Sequence, residues 1–190
     1  QDLVVKSQAN SERIEALLDA LPQIHQRTKN VESALGPALD AANQLIGVTG
    51  GKILVFLSGL PSIGAGRLEN RESKELLAGN KAHMLQSPAS DSYASRAVNM
   101  TRLQITIDTF FFPSQYSDVA TVSQLSRHSG GQCYFYPGFN MVCTHDYQLN
   151  IALIILHLAF LCTHTRFCVC VSNVHSKSTE TNFVMNSITT

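Results

Sequence analysis

A lone carboxylate, Asp108, interrupts the apolar stretch Gln104-Ile-Thr-Ile-Asp-Thr-Phe-Phe-Phe112. Such a group is either a ligand at a strand end or a buried carboxylate held by backbone N–H donors, and the structural reading is favoured here. Two glycine-rich stretches invite a phosphate reading. Gly47 to Gly51 lies after a helical segment and before a strand. A phosphate cradle needs the reverse order, because free N–H groups must open a helix toward the anion. Gly59 to Gly66 does follow a strand, but Gly64 is followed by Ala65-Gly66 rather than Lys-Ser/Thr, and no helix starts there. There is no G-x-S-x-G elbow for a nucleophile. His25, His83 and His128 sit in polar contexts and are expected on the solvated surface. Cys133 alternates with aromatics and is expected to be a small core residue. Catalytic, cofactor-binding and metal residues are therefore all expected to be none.

The C-terminal stretch offers Cys143, His145, Cys162, His164, Cys168 and Cys170. Structural zinc sites use pairs such as C-x2-4-C on turns. The pairs here are C-x-H, C-x-H and C-x-C, which are too tight, and an apolar run from Leu149 to Cys162 separates them. That run is 14 residues and contains His157, short of the roughly 20 that span a bilayer. Continuing it through Arg166 would place a charge in the membrane. The single sequon, Asn99-Met100-Thr101, needs a secretory address. None is visible, since no basic and then apolar leader opens the chain.

The elements that position these groups fall into a pattern. Ile14, Leu17, Leu18 and Leu21 form one helical face after Asn10, a residue suited to capping. A second helix is expected over about Glu32 to Ile46, weakened at its start by Gly36-Pro37 and ended by Gly47. Lys52 to Ser58 is an unbroken apolar run between glycines, as in a strand buried on both faces. A short helix over Ser90 to Asn99 and a strand over Gln104 to Phe112 follow. Asp118 is expected to cap a helix that Gly130 ends, and Gln132 to Tyr136 reads as a third strand. Strand, helix, strand, helix, strand implies right-handed crossovers and a parallel α/β sheet. Ile53, Val55, Ile105, Ile107, Leu125 and Phe135 are expected to be buried.

Composition sets the bounds. The 190 residues are 44% apolar and 15% charged, with 14 basic and 14 acidic side chains. That is too apolar for a disordered chain. It lacks the basic excess of a nucleic-acid binder and gives no long-range attraction to anionic membrane. Five Cys without framework spacing argue against a disulfide scaffold. Beginning with Gln1, the chain reads as a fragment or a processed product. Charge is unevenly spread: residues 1–140 hold 12 of the 14 basic and 12 of the 14 acidic residues, while the last 50 hold four of five Cys and four of seven His. Two domains are expected on this ground, 1–140 and a low-charge tail, 141–190.

Several segments resemble a known family, the cargo-adaptor subunit of the COPII vesicle coat, of the Sec twenty-four type. They are Leu17-Leu18-Asp-Ala-Leu-Pro22, Ser33-Ala-Leu-Gly-Pro-Ala-Leu39 with Ala41-Ala42, and Thr49-Gly-Gly-Lys-Ile-Leu-Val-Phe56. Leu60-Pro-Ser-Ile-Gly-Ala-Gly-Arg-Leu68 follows, running into Asn70-Arg-Glu72. Last come Ser114-Gln-Tyr-Ser-Asp-Val-Ala120, Leu125-Ser-Arg127, Gly131-Gln132 and Tyr134-Phe-Tyr-Pro137. Their order and spacing match the family's trunk domain over about residues 1 to 140. The resemblance implies a von Willebrand A-like parallel sheet with helices on both faces, incomplete at the N-terminus. It implies no catalysis and no cofactor in this chain, because the family's zinc-binding module lies before the trunk. It implies partners instead: a sister COPII coat subunit through trunk–trunk contact, and cargo sorting signals in the full-length protein. No nucleic acid is implied, membrane association would be peripheral through the coat, and the location would be cytoplasmic, at endoplasmic reticulum exit sites. No protein-binding residue can be carried over, since the family's cargo pockets lie beyond Asn140.

The tail resembles nothing in the family and is expected to be unrelated to the fold, as a gene-model artefact such as intron read-through or a wrong frame would be. Two rival functions stand beside the adaptor reading. Another von Willebrand A-like binding domain with a metal-dependent adhesion site needs a D-x-S-x-S element, and none occurs. A small α/β enzyme would need Asp108, the Gly59–Gly66 loop and a histidine to share a pocket.

Overall fold

The computed structural model describes residues 10–25, 32–73, 77, 82–113, 116–137, 167–172 and 187–188. The first helical stripe forms α1, Ser11–His25, where the Ile14 amide donates to the Asn10 carbonyl. Pro22 lies inside this helix, and Ile14 and Leu17 are only half-buried. The second helix, α2, begins at Leu35 and ends at Ile46. Starting there puts Pro37 in the first turn, whose N–H groups have no intrahelical partner, so its missing donor costs little.

Strands β1 (Gly51–Leu57), β2 (Ile105–Phe111) and β3 (Cys133–Phe135) form where the apolar runs place them. Helix α3, Ser92–Arg102, connects β1 to β2. The helix expected after Asp118 is two short pieces, α4 (Val119–Val122) and α5 (Gln124–Ser129). Asp118 caps the first by accepting from the Thr121 amide at 3.1 Å. Gly130, at φ 74°, ends the second in the left-handed conformation that glycine adopts without penalty.

The sheet order is β3-β2-β1-β4-β5, where β4 is Phe167–Ser172 and β5 is Ser187–Ile188. β1, β2, β3 and β4 are parallel; β5 is antiparallel to β4. The parallel α/β class is thus present. One correction concerns the tail. It was expected to lie outside the fold, yet β4 pairs with β1 along Lys52–Leu57. A strand in the middle of a sheet needs hydrogen-bond partners on both edges, and among the described residues of 1–140 no other strand takes the second edge of β1.

Alternation divides each strand between two layers. Ile53, Val55, Leu57, Ile105, Ile107 and Phe111 pack with Leu35, Leu39, Ala42 and Ile46 of α2, Tyr93, Ala97 and Met100 of α3, and Leu125 of α5. The two crossovers lie on one face, as crossovers of one hand advancing in one direction must. The opposite face carries Leu54, Phe56, Phe110, Phe112, Tyr134 and Tyr136, and no described helix contributes to that cluster.

Of the expected core, Ile53, Val55, Ile105, Ile107 and Leu125 are buried. Phe135 is 51% exposed and Cys133 is exposed. Both point to one side of β3, which is three residues long and an edge strand. Alternation read along the sequence does not reveal that the helical layer stops short of that edge.

Candidate functional site

In open parallel sheets, ligands and partners meet the loops outside the carboxyl ends of the strands. Here that edge is dominated by residues 58–68, which follow β1. The loop is held against the entrance to α2. Ser62 and Ile63 both donate their amides to the Ser33 carbonyl, at 2.9 and 3.1 Å, and the Ser33 amide donates to Ser62 Oγ at 3.2 Å. Leu68 donates to the Pro61 carbonyl at 2.7 Å and Arg67 to that of Gly64 at 3.2 Å. Tyr93 Oη donates to the Gly66 carbonyl at 2.8 Å. Burial pushes the Tyr93 hydroxyl up to about 12, with the Arg96 charge opposing the shift.

Two glycines permit this packing. A Cβ on Gly36 would lie 1.6 Å from the Ala65 carbonyl oxygen, and one on Gly64 would lie 2.6 Å from Pro37 Cγ. The approach to Pro37 accounts for Gly64, one of the glycines that looked like phosphate-loop elements. The loop's amides at 62, 63, 67 and 68 are already engaged, so they are not available to cradle an anion.

A second clamp lies beside it. Arg71 Nε and Nη2 donate to Asp118 Oδ2 and Oδ1 at 3.1 and 3.0 Å, a forked pair of the geometry guanidinium and carboxylate prefer. Arg71 also donates to the carbonyls of Met84 and Ser87. Asp118 further accepts from Thr121 Oγ1 at 2.8 Å, and Thr121 Oγ1 accepts from the Ala89 amide at 2.7 Å. For Arg71, desolvation lowers the pKa, but the hydrogen bond and charge of Asp118 and those of Tyr116 outweigh it, so the net shift is upward. Arg71 and Asp118 belong to separate segments of the sequence, 47 positions apart, and no local pattern joins them.

Asp108 is elsewhere. It is fully buried and stands opposite Leu54 in the register, five residues before Gly59. Oδ1 accepts from the Gln132 amide at 2.8 Å, and Lys52 Nζ lies 2.6 Å from Oδ2 as a close ion pair rather than along a well-directed hydrogen bond. The carboxylate thus ties β1 and β2 to the start of β3. The favoured structural reading holds, with Lys52 as an unforeseen partner. The exposed His128 meets, through Nε2, Oε1 of the buried Gln124 at 3.1 Å on α5, and His83 is exposed in the 3-10 turn Ala82–Gln86. Neither lies in a site with Asp108 and the glycine loop. The His25 side chain, Cys143, His145, Cys162 and His164 lie outside the described residues, and of Cys168 and Cys170 only the strand is described. Among the described residues no group of three or more His, Cys, Asp or Glu could hold a metal ion, and no helix is long and apolar enough to cross a membrane.

What the carboxyl edge offers is a rigid surface. Ile63 is 41% exposed, and Ala65, Arg67 and Glu69 are exposed around it. A preorganised loop with an apolar centre and charges of both signs suits docking of another polypeptide, because little ordering entropy remains to be lost on association.

Comparison with known proteins agrees with the ordered segments. The model of the Sec23/Sec24 trunk domain matches residues 1–151. The protein transport protein SEC24 of Coccidioides immitis is 46% identical over 145 residues, covering 76% of this chain and 16% of the relative. That of Pyricularia oryzae is 44% identical over 140 residues, covering 74% and 15%. Among solved structures, the human COPII-coat protein Sec24c matches with a TM-score of 0.68 at 29% identity, over 77% of this chain and 20% of that one. The chain therefore spans about a sixth of the length of the curated relatives it matches.

Proposed function

The chain belongs to the Sec23/Sec24 trunk domain family, and from that premise we propose that it is a scaffold piece of a COPII cargo adaptor, acting in endoplasmic reticulum to Golgi transport by protein–protein binding rather than catalysis. The observation that carries this reading is the match of residues 1–151 to the trunk domain. The geometry supports it: the carboxyl-edge loop is braced for docking, its amides at 62, 63, 67 and 68 are engaged, and Asp108 is tied into the sheet. The partner is a sister coat subunit, met trunk to trunk on the cytoplasmic side of the endoplasmic reticulum. Membrane association is peripheral, through the coat, and cargo signals are read by the full-length protein. The reading needs no cofactor within these residues. It assigns the adaptor role to residues 1–140 and none to the 141–190 tail, which departs from the family in sequence although β4 lies in the sheet.

The test is binding of the full chain to a purified sister trunk domain by calorimetry. Ile63→Asp is expected to weaken it at least tenfold, about 1.4 kcal/mol, as for a central apolar contact. Val48→Asp, in the 95%-exposed turn between α2 and β1 at the opposite edge, is expected to leave it unchanged. No measurable binding by the unmodified chain would overturn the functional reading. Equal loss in both variants would overturn the docking edge.

A further inference from the structure

Ser87-Pro88 is the one place in the 190 residues where a proline follows a serine or threonine; the other prolines follow Leu21, Gly36, Leu60, Phe112 and Tyr136. A serine before proline is the acceptor pattern of proline-directed kinases. The chemistry suits it: Pro88 has no N–H to satisfy, and its ring disfavours helical backbone at Ser87. The 3-10 turn Ala82–Gln86 ends just before that residue.

The fold presents this pattern openly. Residues 86 to 91 are all exposed, the longest such run among the described residues, and α3 begins only at Ser92. The Ser87 amide reaches the Met84 carbonyl at a long 3.3 Å. On the proline's far side one bond holds the segment, from the Ala89 amide to Thr121 Oγ1 at 2.7 Å. A kinase therefore has little structure to displace around the Ser87 hydroxyl.

A receiver for the product already stands beside it. Arg71 Nη2 donates to the carbonyl of Ser87 itself at 3.1 Å, and Nη1 to that of Met84 at 3.4 Å, both on the exposed side. Nε and Nη2 hold Asp118, which is 3% exposed. Ala82 to Ser90 contain no Asp, Glu, Lys or Arg, so Arg71 meets only neutral carbonyls in this segment. Ser87 Oγ belongs to the same residue as one of those carbonyls, and rotation of its χ1 can carry a phosphate to the same guanidinium. A phosphoserine carries about −1.5 to −2 charges at pH 7. Charge-assisted bonds are roughly twice as strong as neutral ones. The phosphate thus displaces the carbonyls from the solvent-facing donors and leaves the fork to Asp118 in place. The exposed Asp91 is the nearest opposing charge along the chain.

From these placements we infer that Ser87 is a phosphoacceptor for a proline-directed protein kinase and that Arg71 receives the phosphate. The Ser87 hydroxyl oxygen attacks the γ-phosphorus of ATP. The bond from that phosphorus to the β,γ-bridging oxygen breaks, ADP leaves, and the hydroxyl proton passes to the kinase's catalytic carboxylate. The modified turn is then tied to Arg71 by an ion pair where it was held by neutral bonds. This inference does not depend on the adaptor role.

The full chain, incubated with magnesium ATP and a purified kinase of the mitogen-activated class, tests the acceptor. Intact mass and peptide mapping are expected to show one phosphate per chain, on Ser87. Ser87→Ala is expected to abolish it, and Pro88→Ala to slow it at least about tenfold, with circular dichroism checking that both variants keep the fold. No phosphate on Ser87 of the folded chain, where a peptide of residues 82–93 is modified, would overturn the acceptor assignment. So would equal labelling of other residues. Phosphorus NMR against pH tests the receiver. The phosphate's second ionisation is expected to fall at least about 0.3 of a pH unit below that of the phosphorylated 82–93 peptide, because a cation beside it favours the dianion. That peptide carries the same His83 and Asp91 but lacks Arg71. Arg71→Gln is expected to remove the shift and Arg67→Gln to keep it. A midpoint equal to the peptide's, or a shift that survives Arg71→Gln, would overturn the role of Arg71.

Discussion

On one face of the sheet, Ile53, Val55, Leu57, Ile105 and Ile107 interdigitate with side chains from α2, α3 and α5. On the other, drawn from alternate residues of the same strands, aromatic rings stack from strand to strand. Phe56 and Phe110 lie 4.9 Å apart between ring centroids, Phe110 and Tyr134 4.7 Å, and Phe112 and Tyr136 5.2 Å, all within 13° of parallel. The first face is held by helix ridges filling gaps between β-branched side chains. The second is held by cross-strand ring pairs, reinforced by the Lys52–Asp108 ion pair on the same side. The difference shows how one strand sequence serves two layers. Aliphatic positions need a helix of matching shape, whereas stacked rings complete much of their packing within the sheet and offer a smooth platform to any apolar segment. The burial of Ser126 and Ser129 of α5 belongs to the first face: Thr109 Oγ1 pairs with Ser126 Oγ at 2.8 Å, and the Ile107 amide donates to Ser129 Oγ at 2.9 Å.

The comparison breaks most visibly at its two centres. Phe110→Ala is expected to cost about 3–5 kcal/mol and Leu125→Ala about 2–5 kcal/mol. Each kcal/mol lowers the melting temperature by about 2–4 °C in a chain of this size. Thermal unfolding of both variants checks the claim. A cost for Phe110→Ala near or below 1 kcal/mol would mean that the aromatic face is not a second core.

Next in size is an alkaline effect on the helical face. Tyr93 is fully buried and titrates at about 12 rather than 10.0 because burial disfavours its anion. A folded-state value above the unfolded one gives stability that is complete below pH 10 and is lost as the pH climbs through 12. The loss is on the order of 2–3 kcal/mol for a shift of about two units. Tyr134 and Tyr136, on the aromatic face, are raised in the same direction, first by desolvation. Denaturant titrations at pH 9 and pH 11.5 on the chain and on Tyr93→Phe therefore separate the faces. The variant is expected to lose about 1 kcal/mol at pH 9, from the missing bond to Gly66, and to show a flatter decline. An identical decline in both would assign the alkaline loss to the aromatic face.

The smallest effect belongs to the edge where neither layer reaches. Cys133→Ser and Phe135→Ser, on exposed positions of β3, are each expected to change stability by no more than about 0.5 kcal/mol. A larger loss in equilibrium unfolding would mean that one of the layers extends past β3.

Much of this was legible in the residues. The unbroken run of β1, Asp118 as a cap, Gly130 as a stop and the alternation of helix with strand all depend on neighbours within a few positions. The resemblance carried by ordered short segments led to the trunk family. For the candidate site, the glycine loop stands out in the sequence only as a failed phosphate motif and the Asp118 segment only as a helix cap, neither as part of a braced surface. The pairing of Arg71 with Asp118 and the contact of Gly36 with Ala65 join residues far apart in the chain, and sequence spacing holds no trace of them.

By itself, then, the sequence determined the elements, their parallel class and the family, because periodicity, turn residues and short-range capping act locally along the chain. Only the tertiary structure decided that Cys133 and Phe135 face solvent, that Lys52 neutralises Asp108, and that a strand of the tail lies along β1. Each of these depends on which distant segment occupies a sheet edge or face. Backbone hydrogen-bond donors at an edge accept any strand that reaches them, whatever its side chains spell.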